Sequence, residues 1–80
     1  MKPLYYWPTR IGTFYIAEQD GRFHPVFDDD ALGSYARPEQ AAEDLAGGYT
    51  FALSSGADTA SLGIPVDLAD WHRFAGSGGT

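Results

Sequence analysis

The fold is decided by residues 13–27, which read Thr13-Phe14-Tyr15-Ile16-Ala17-Glu18-Gln19-Asp20-Gly21-Arg22-Phe23-His24-Pro25-Val26-Phe27. Two runs rich in β-branched and aromatic residues, the types most frequent in strands, lie on either side of Asp20-Gly21. An Asp-Gly pair between such runs is typical of a type I′ turn, because both central residues need positive φ. The stretch therefore predicts a two-residue β-hairpin with Gln19 opposite Arg22.

Alternation of side chains sorts the predicted hairpin into two faces. We expect one face to cover the core, and its members are Phe14, Ile16, Phe23, Pro25 and Phe27. The other face is half polar, and its members are Tyr15, Ala17, His24, Val26, Gln19 and Arg22. Since a proline cannot donate to a ladder, we expect the backbone nitrogen at position 25 to point out of the sheet or to lie at an irregularity.

The segment after the hairpin predicts a turn, a short strand and a helix. Residues 28–30 form an acidic turn, and residues 32–35 form the third strand. The helix begins at Pro38, because proline suits the first helical position, and Gly47 occupies the C′ position beyond its last turn. A narrow apolar stripe then faces the sheet, and it consists of Ala41, Ala42 and Leu45. Arg37 is a poor N-cap residue, which weakens the start of this helix.

The C-terminal part predicts a further strand and a short helix. Residues 49–53 alternate as a strand does, and residues 54–61 are a polar loop. Residues 66–74 carry Leu68, Trp71 and Phe74 at helical spacing, so this second helix is expected to bring all three side chains into the core. The prediction is an α+β domain over residues 1–74, with a three- to four-stranded antiparallel sheet, one packed helix and a short C-terminal helix. The Gly-rich residues 75–80 are predicted to form a flexible tail.

Composition excludes several classes of function. The 80 residues contain 11 Asp and Glu against five Lys and Arg, a formal net charge of −6, and no cysteine. An acidic balance argues against general affinity for nucleic acid or anionic membranes. The absence of cysteine excludes disulfides, thiolate catalysis and cysteine-ligated metal sites. The first eight residues contain no apolar stretch typical of a signal peptide, so we expect a cytoplasmic protein that does not enter membranes.

Six segments resemble a group of short proteobacterial proteins to which no function is assigned, and they span nearly the whole chain. They are residues 12–16, 20–27, 32–35, 38–42, 44–48 and 62–65. The resemblance implies a bacterial, compact and self-contained cytosolic domain, and it implies no activity. Arg37 stands where such proteins carry a capping Ser or Thr, which again points to a weak helix start.

Catalysis and metal binding find little support in the spacing of residues. Asp28, Asp30, Gly33 and Glu39 fall at positions 1, 3, 6 and 12 of a calcium loop, but Leu32 occupies position 5, where an oxygen ligand is needed. His24 and His72 would need an orienting carboxylate and a nucleophile to form a hydrolase site, and no motif supplies them. Candidate hydroxyls without such a motif are Ser54, Ser55 and Ser61. We therefore predict no enzyme activity, no metal site and no cofactor.

The N-terminal aromatics suggest an alternative function. Tyr5, Tyr6 and Trp7 would form a stacking platform for single-stranded nucleic acid, with Arg10 and Arg22 at its flanks. Such platforms normally lie in a basic groove, and this chain is acidic. The structural interpretation, in which these rings close the core or cover a sheet edge, is favoured.

The acidic residues suggest the main functional hypothesis. Glu39 and Glu43 share a helix face because they are four residues apart. Carboxylates at such spacing resemble the phosphates of a DNA duplex, and in size and charge the chain is similar to DNA-mimic inhibitors, including some anti-CRISPR proteins. We therefore predict a partner-binding protein that inhibits a nucleic-acid-binding protein, or otherwise a generic interaction domain. The predicted contact residues are Asp28, Asp29, Asp30, Glu39, Glu43, Asp44, Asp67 and Asp70.

Overall fold

The structure, a computed structural model, describes residues 1–74 as one antiparallel sheet with a helix packed on one side. The sheet has the strand order β4-β3-β2-β1-β5. The elements are β1 (Lys2–Thr9), β2 (Gly12–Gln19), β3 (Arg22–Phe27), β4 (Asp30–Ala31), α1 (Pro38–Gly47), 3₁₀ turns at Thr59–Ser61 and Leu68–Asp70, and β5 (His72–Arg73). The α+β class is confirmed, with five strands instead of three or four. The predicted tail, residues 75–80, lies outside the described residues.

The turn and the register predicted for the central hairpin are confirmed. Asp20 and Gly21 have φ angles of 55° and 76°, as a type I′ turn requires. Gln19 pairs with Arg22 beside the turn, and Phe14 pairs with Phe27 at the far end of the ladder. Local turn chemistry thus fixes which side chains of β2 and β3 reach the core.

The core lies between the helix and the predicted apolar face of the hairpin. Phe14 and Ile16 are completely buried, and the Phe27 ring stacks on that of Phe14 with centroids 4.5 Å apart. The helix contributes the predicted stripe, whose members Ala41, Ala42 and Leu45 are also completely buried. The small alanine side chains let the helix backbone lie close to the sheet.

The helix ends confirm one expectation and correct another. Pro38 lies in the first turn, and the Arg37 side chain makes no capping hydrogen bond, as its residue type predicted. The end is one residue later than expected, because Gly48 rather than Gly47 adopts the left-handed conformation, with φ 80°. The Gly48 N–H donates to the carbonyls of Asp44 and Leu45, which satisfies backbone oxygens left free at the helix end.

The third strand differs from the prediction because Pro25 interrupts its ladder. Residues 30–31 rather than 32–35 form β4, and Tyr35 makes a separate bridge to Phe23. Between them the Leu32 N–H donates to the Pro25 carbonyl at 2.7 Å, while the proline offers no N–H in return. His24 supplies a substitute donor, since its Nδ1 lies 3.0 Å from the Gly33 carbonyl oxygen.

The strand predicted at residues 49–53 does not form. Leu53 is buried, but Tyr49 and Phe51 are 78% and 71% exposed. The segment makes one backbone hydrogen bond to the sheet region, from the Phe51 N–H to the Leu32 carbonyl. A strand is found instead at β1, which pairs along the length of β2 with a bulge between Pro3 and Tyr5.

The predicted C-terminal helix is replaced by a single 3₁₀ turn and β5. Leu68 and Trp71 are buried as expected, but Phe74 is 45% exposed. His72 and Arg73 pair with Tyr6 and Tyr5 of β1, so they satisfy backbone groups that a helix would leave free at the sheet edge. The segment is too short to form a stable helix by itself, so pairing with β1 is favoured over the helix that its apolar spacing predicted.

No helix within residues 1–74 has the length and apolar character needed to cross a membrane.

Candidate functional surface

The two sides of the sheet differ in what covers them. The helix packs against β3 and β2 on one side. We call the opposite side the open face, since no helix of the described chain covers it. By strand register its members are Pro3, Tyr6, Pro8, Thr13, Tyr15, Ala17, Gln19, Arg22, His24, Val26, Ala31 and His72.

Charge is segregated between these two sides. Of the open-face members, Arg22 is the one side chain that is formally charged when histidine is neutral. The carboxylates of the chain all lie in turns, in the helix, around the 3₁₀ turns, or on the helix side of strands, as Glu18 and Asp30 do. The net negative charge therefore belongs to the helix side and the ends of the molecule.

Two acidic residues from distant parts of the chain lie together on the helix side. Glu39 in the first turn of α1 and Asp67 before the second 3₁₀ turn line one groove of about 410 Å³, which Tyr5 and Arg73 also line. Glu43 is exposed one helical turn after Glu39, and Asp70 is exposed close in sequence to Asp67. We call these four residues, Glu39, Glu43, Asp67 and Asp70, the helix-side acidic surface.

Two of the predicted contact residues also have structural roles. The Asp67 side chain accepts a hydrogen bond from the Ala69 N–H at 2.9 Å and thereby caps the second 3₁₀ turn. Asp44 is half-buried, and its Oδ2 accepts a hydrogen bond from the Tyr35 hydroxyl at 2.9 Å. Substitutions that test binding must therefore avoid Asp44 and Asp67, because their loss would disturb the fold.

The acidic turn at residues 28–30 lies away from the start of the helix. Asp30 pairs with Phe27 at one end of β3, whereas Tyr35, just before the helix, pairs with Phe23 near the other end. Four residue steps along a strand separate these points by about 13 Å. Asp28, Asp29 and Asp30 thus form a second acidic region, separate from the helix-side acidic surface.

Burial and Asp44 together raise the pKa of Tyr35 to about 12, with burial the larger cause and the hydrogen bond to the carboxylate next. A tyrosine whose pKa is higher in the folded than in the unfolded chain contributes stability that is fully present at pH values below its unfolded pKa of 10.0. That contribution is lost as the pH rises through about 12.

We expect an absorbance titration of the folded chain to show a phenol transition near pH 12 that Tyr35→Phe removes. Asp44→Asn is expected to move that transition toward 10.0 without abolishing it, because the buried environment stays while the charge and the acceptor change. A transition that is unchanged in Tyr35→Phe would contradict the assignment. Circular dichroism at each pH confirms that the chain is still folded.

The two histidines contact backbone and aromatic groups. The His24 imidazole donates to the Gly33 carbonyl. The His72 ring packs against those of Tyr6 and Trp7, with centroid distances of 5.2 and 5.1 Å. Across residues 1–74, no group of three or more His, Asp and Glu side chains is arranged to hold a metal ion, the calcium-loop residues included.

The N-terminal aromatics are partly buried in β1. Tyr5 and Trp7 pack against the core, while the Tyr6 ring lies 5.0 Å from that of Phe74. The two arginines of the stacking hypothesis are hydrogen-bonded to the chain itself: Arg10 donates to the Ser61 carbonyl, and Arg22 donates to the side chain and carbonyl of Ser34. Stacking of bases would have to use ring faces that these contacts leave accessible.

An apolar groove on the open face was not predicted from the sequence. Its volume is about 410 Å³, and it is lined by Met1, Pro3, Tyr15, Ala17, Val26 and Phe74. The hairpin alternation had placed Tyr15, Ala17 and Val26 on one face. The register of β1 and the position of Phe74, which complete the groove, depend on pairings between distant residues.

No family model, curated protein or solved structure matches this chain. The resemblance to short proteobacterial proteins and the likeness in charge to DNA-mimic inhibitors therefore stay predictions.

Proposed function

We propose that this chain is a non-enzymatic, cytoplasmic binding protein whose helix-side acidic surface contacts a basic protein partner. The observation that carries the proposal is the shared groove of Glu39 and Asp67, which brings carboxylates from two distant segments to one place. Exposed carboxylates in a cluster attract a basic surface and speed its approach, and this attraction weakens with added salt.

The kind of partner that fits best is a protein that binds nucleic acid. Such proteins carry Lys and Arg arranged to meet phosphates. Glu39 and Glu43 lie on one helix face with about 6 Å between β-carbons, within a factor of two of the about 3.4 Å rise per phosphate along one DNA strand. Charge segregation supports this proposal over ordinary solubility, because charges that serve solubility alone need not avoid one face of the sheet.

The test compares two double substitutions with the same change of charge. In Glu39→Lys with Glu43→Lys the helix-side acidic surface is reversed. In Asp29→Lys with Asp30→Lys the separate acidic turn is reversed instead. All four side chains are exposed, so both variants are expected to fold.

Each protein is immobilised, exposed to nuclease-treated bacterial lysate and eluted with a salt gradient, and the eluate is identified by mass spectrometry. We expect a nucleic-acid-binding protein that elutes at moderate salt from the wild type and from the turn variant, but is not retained by the helix variant. Added wild type should also displace that protein from a labelled DNA duplex. Equal retention on both variants, or no displacement, would contradict the proposal.

A further inference from the structure

Two grooves lie side by side on the open face. The first is the apolar groove of about 410 Å³, and the second, of about 360 Å³, is lined by Tyr6, Thr13, Tyr15, Arg73 and Phe74. Tyr15 and Phe74 line both grooves, so their rings form a ridge between them, which we call the aromatic ridge. The two rings stack with centroids 6.1 Å apart, and Phe74 is 45% exposed. The open face thus has a projecting aromatic group with a recess on each side.

The open face has the size of a peptide site. At about 3.3 Å per residue and about 4.8 Å between strands, the five strands give it an area of about 400 Å². Stable interfaces between folded proteins bury about 800 Å² on each partner, so the face is too small for a globular partner or for a second copy of this chain. The longest strands, β1 and β2, have eight residues each and extend for about 26 Å. A polyproline II helix covers that length in about eight residues.

The polar side-chain groups of the two grooves are hydroxyls. Within residues 1–74 the hydroxyls of Tyr6, Thr13 and Tyr15 make no hydrogen bond to the protein, and no buried side-chain nitrogen or oxygen lacks a partner, so these hydroxyls reach the surface. The Arg73 guanidinium lies instead over the Tyr5 ring, 5.8 Å from its centroid. Because the described open face contains no carboxylate, the three hydroxyls remain available to donate to a ligand.

This combination selects a proline-rich segment over other extended ligands. Proline has a backbone carbonyl but no N–H, so a polyproline II helix presents acceptors without donors, and its rings pack in aromatic-lined grooves. An ordinary extended peptide brings an N–H with each residue, for which this face offers no carboxylate. Single-stranded nucleic acid needs cations for its phosphates. Among the described residues, Arg22 is the one Lys or Arg on the open face, and its side chain is hydrogen-bonded to Ser34.

We propose that the open face binds a proline-rich segment of a partner protein in the polyproline II conformation. The segment lies across the aromatic ridge, with prolines in the two grooves beside it. Its carbonyls accept hydrogen bonds from the Tyr6 and Tyr15 hydroxyls. The site lies on the opposite side of the sheet from the helix-side acidic surface and does not depend on the proposed acidic contact.

The test measures binding of a fluorescein-labelled oligoproline by fluorescence anisotropy, with a labelled glycine–serine peptide of equal length as the flexible control. Phe74→Ala removes the exposed ring of the aromatic ridge. Phe51→Ala is its matched control, because Phe51 is 71% exposed and lies outside the sheet. Tyr15→Phe keeps the ring and removes one hydroxyl, so it tests the hydrogen bond without disturbing the packing. Circular dichroism confirms that each variant is folded.

We expect wild type and Phe51→Ala to bind oligoproline and not the glycine–serine peptide. The dissociation constant should rise about 10-fold or more in Phe74→Ala and about 3- to 10-fold in Tyr15→Phe. The helix variant, Glu39→Lys with Glu43→Lys, should bind oligoproline as wild type does, which separates this site from the proposed acidic contact.

Three results would overturn the proposal: no binding of oligoproline by wild type, equal binding of both peptides, or unchanged affinity in a folded Phe74→Ala. If Phe74→Ala does not fold, unchanged affinity in Tyr15→Phe overturns it instead. A labelled oligothymidine is measured in parallel. Binding of oligothymidine in place of oligoproline would assign the open face to single-stranded nucleic acid.

Discussion

Replacement of Phe14 by alanine is expected to lower the free energy of unfolding by about 3–5 kcal/mol. The side chain is completely buried in the middle of β2, where it stacks on Phe27 and packs in the same cluster as the helix. Its removal leaves a cavity between sheet and helix that neither rigid element can fill. For 80 residues the whole stability is about 4–12 kcal/mol, so this loss removes a large part of it.

The matched control for this variant is Phe51→Ala, which removes the same atoms from a side chain that is 71% exposed. Urea denaturation followed by far-ultraviolet circular dichroism, at one protein concentration, measures both variants against wild type. We expect Phe51→Ala to change the free energy of unfolding by less than about 0.5 kcal/mol. Similar losses in both variants would contradict the location of the core.

The features that sequence alone predicted are those with local causes. The Asp20-Gly21 pair determines the turn, the two-residue turn determines the register, and the register determines that Phe14 is buried. Each step involves neighbouring residues, so no knowledge of distant parts of the chain is needed. The helix at Pro38–Gly47 is a similar case, because its proline start and glycine end are local signals.

The features that sequence missed depend on pairing between distant residues. The β1 strand contains Pro3 and Pro8, which weaken a strand signal, and it forms because it pairs with β2 on one side and β5 on the other. The spacing of Leu68 and Trp71 correctly predicted burial but not the conformation. A one-turn helix and an extended segment can bury the same positions. Which of them forms depends on the distant strand, here β1, that hydrogen-bonds to the backbone of the segment.

The candidate surfaces show the same division. The sequence named the acidic residues but not their neighbours, since Glu39 and Asp67 meet only through the packing of α1 against the second 3₁₀ turn. The pairings of Asp30 with Phe27 and of Tyr35 with Phe23 place the acidic turn apart from them. The charge segregation also depends on topology. The alternation of the hairpin places no carboxylate beside Tyr15 and Val26. The outer strands β1, β4 and β5 extend this carboxylate-free face.

The Trp71 side chain anchors the C-terminal segment at the edge of the sheet. The side chain is 4% exposed, and its Nε1 donates to the Pro65 carbonyl at 3.0 Å. It stands directly before β5, so its anchoring positions His72 and Arg73 against β1. Removal of the indole should therefore destabilise both the core and the pairing of this edge.

We expect Trp71→Ala to lower the free energy of unfolding by about 3–5 kcal/mol, through the loss of a large buried side chain. Trp71→Phe keeps most of the apolar contact but leaves the Pro65 carbonyl without its donor, so a loss of about 1–3 kcal/mol is expected. Urea denaturation measures both losses. Hydrogen exchange of the Phe74 amide, which donates to the Leu4 carbonyl, reports whether the edge opens before the whole chain unfolds. If Trp71→Ala matched wild type in both measurements, the C-terminal segment would not be anchored by this side chain, and the edge of β1 would be stabilised by backbone pairing alone.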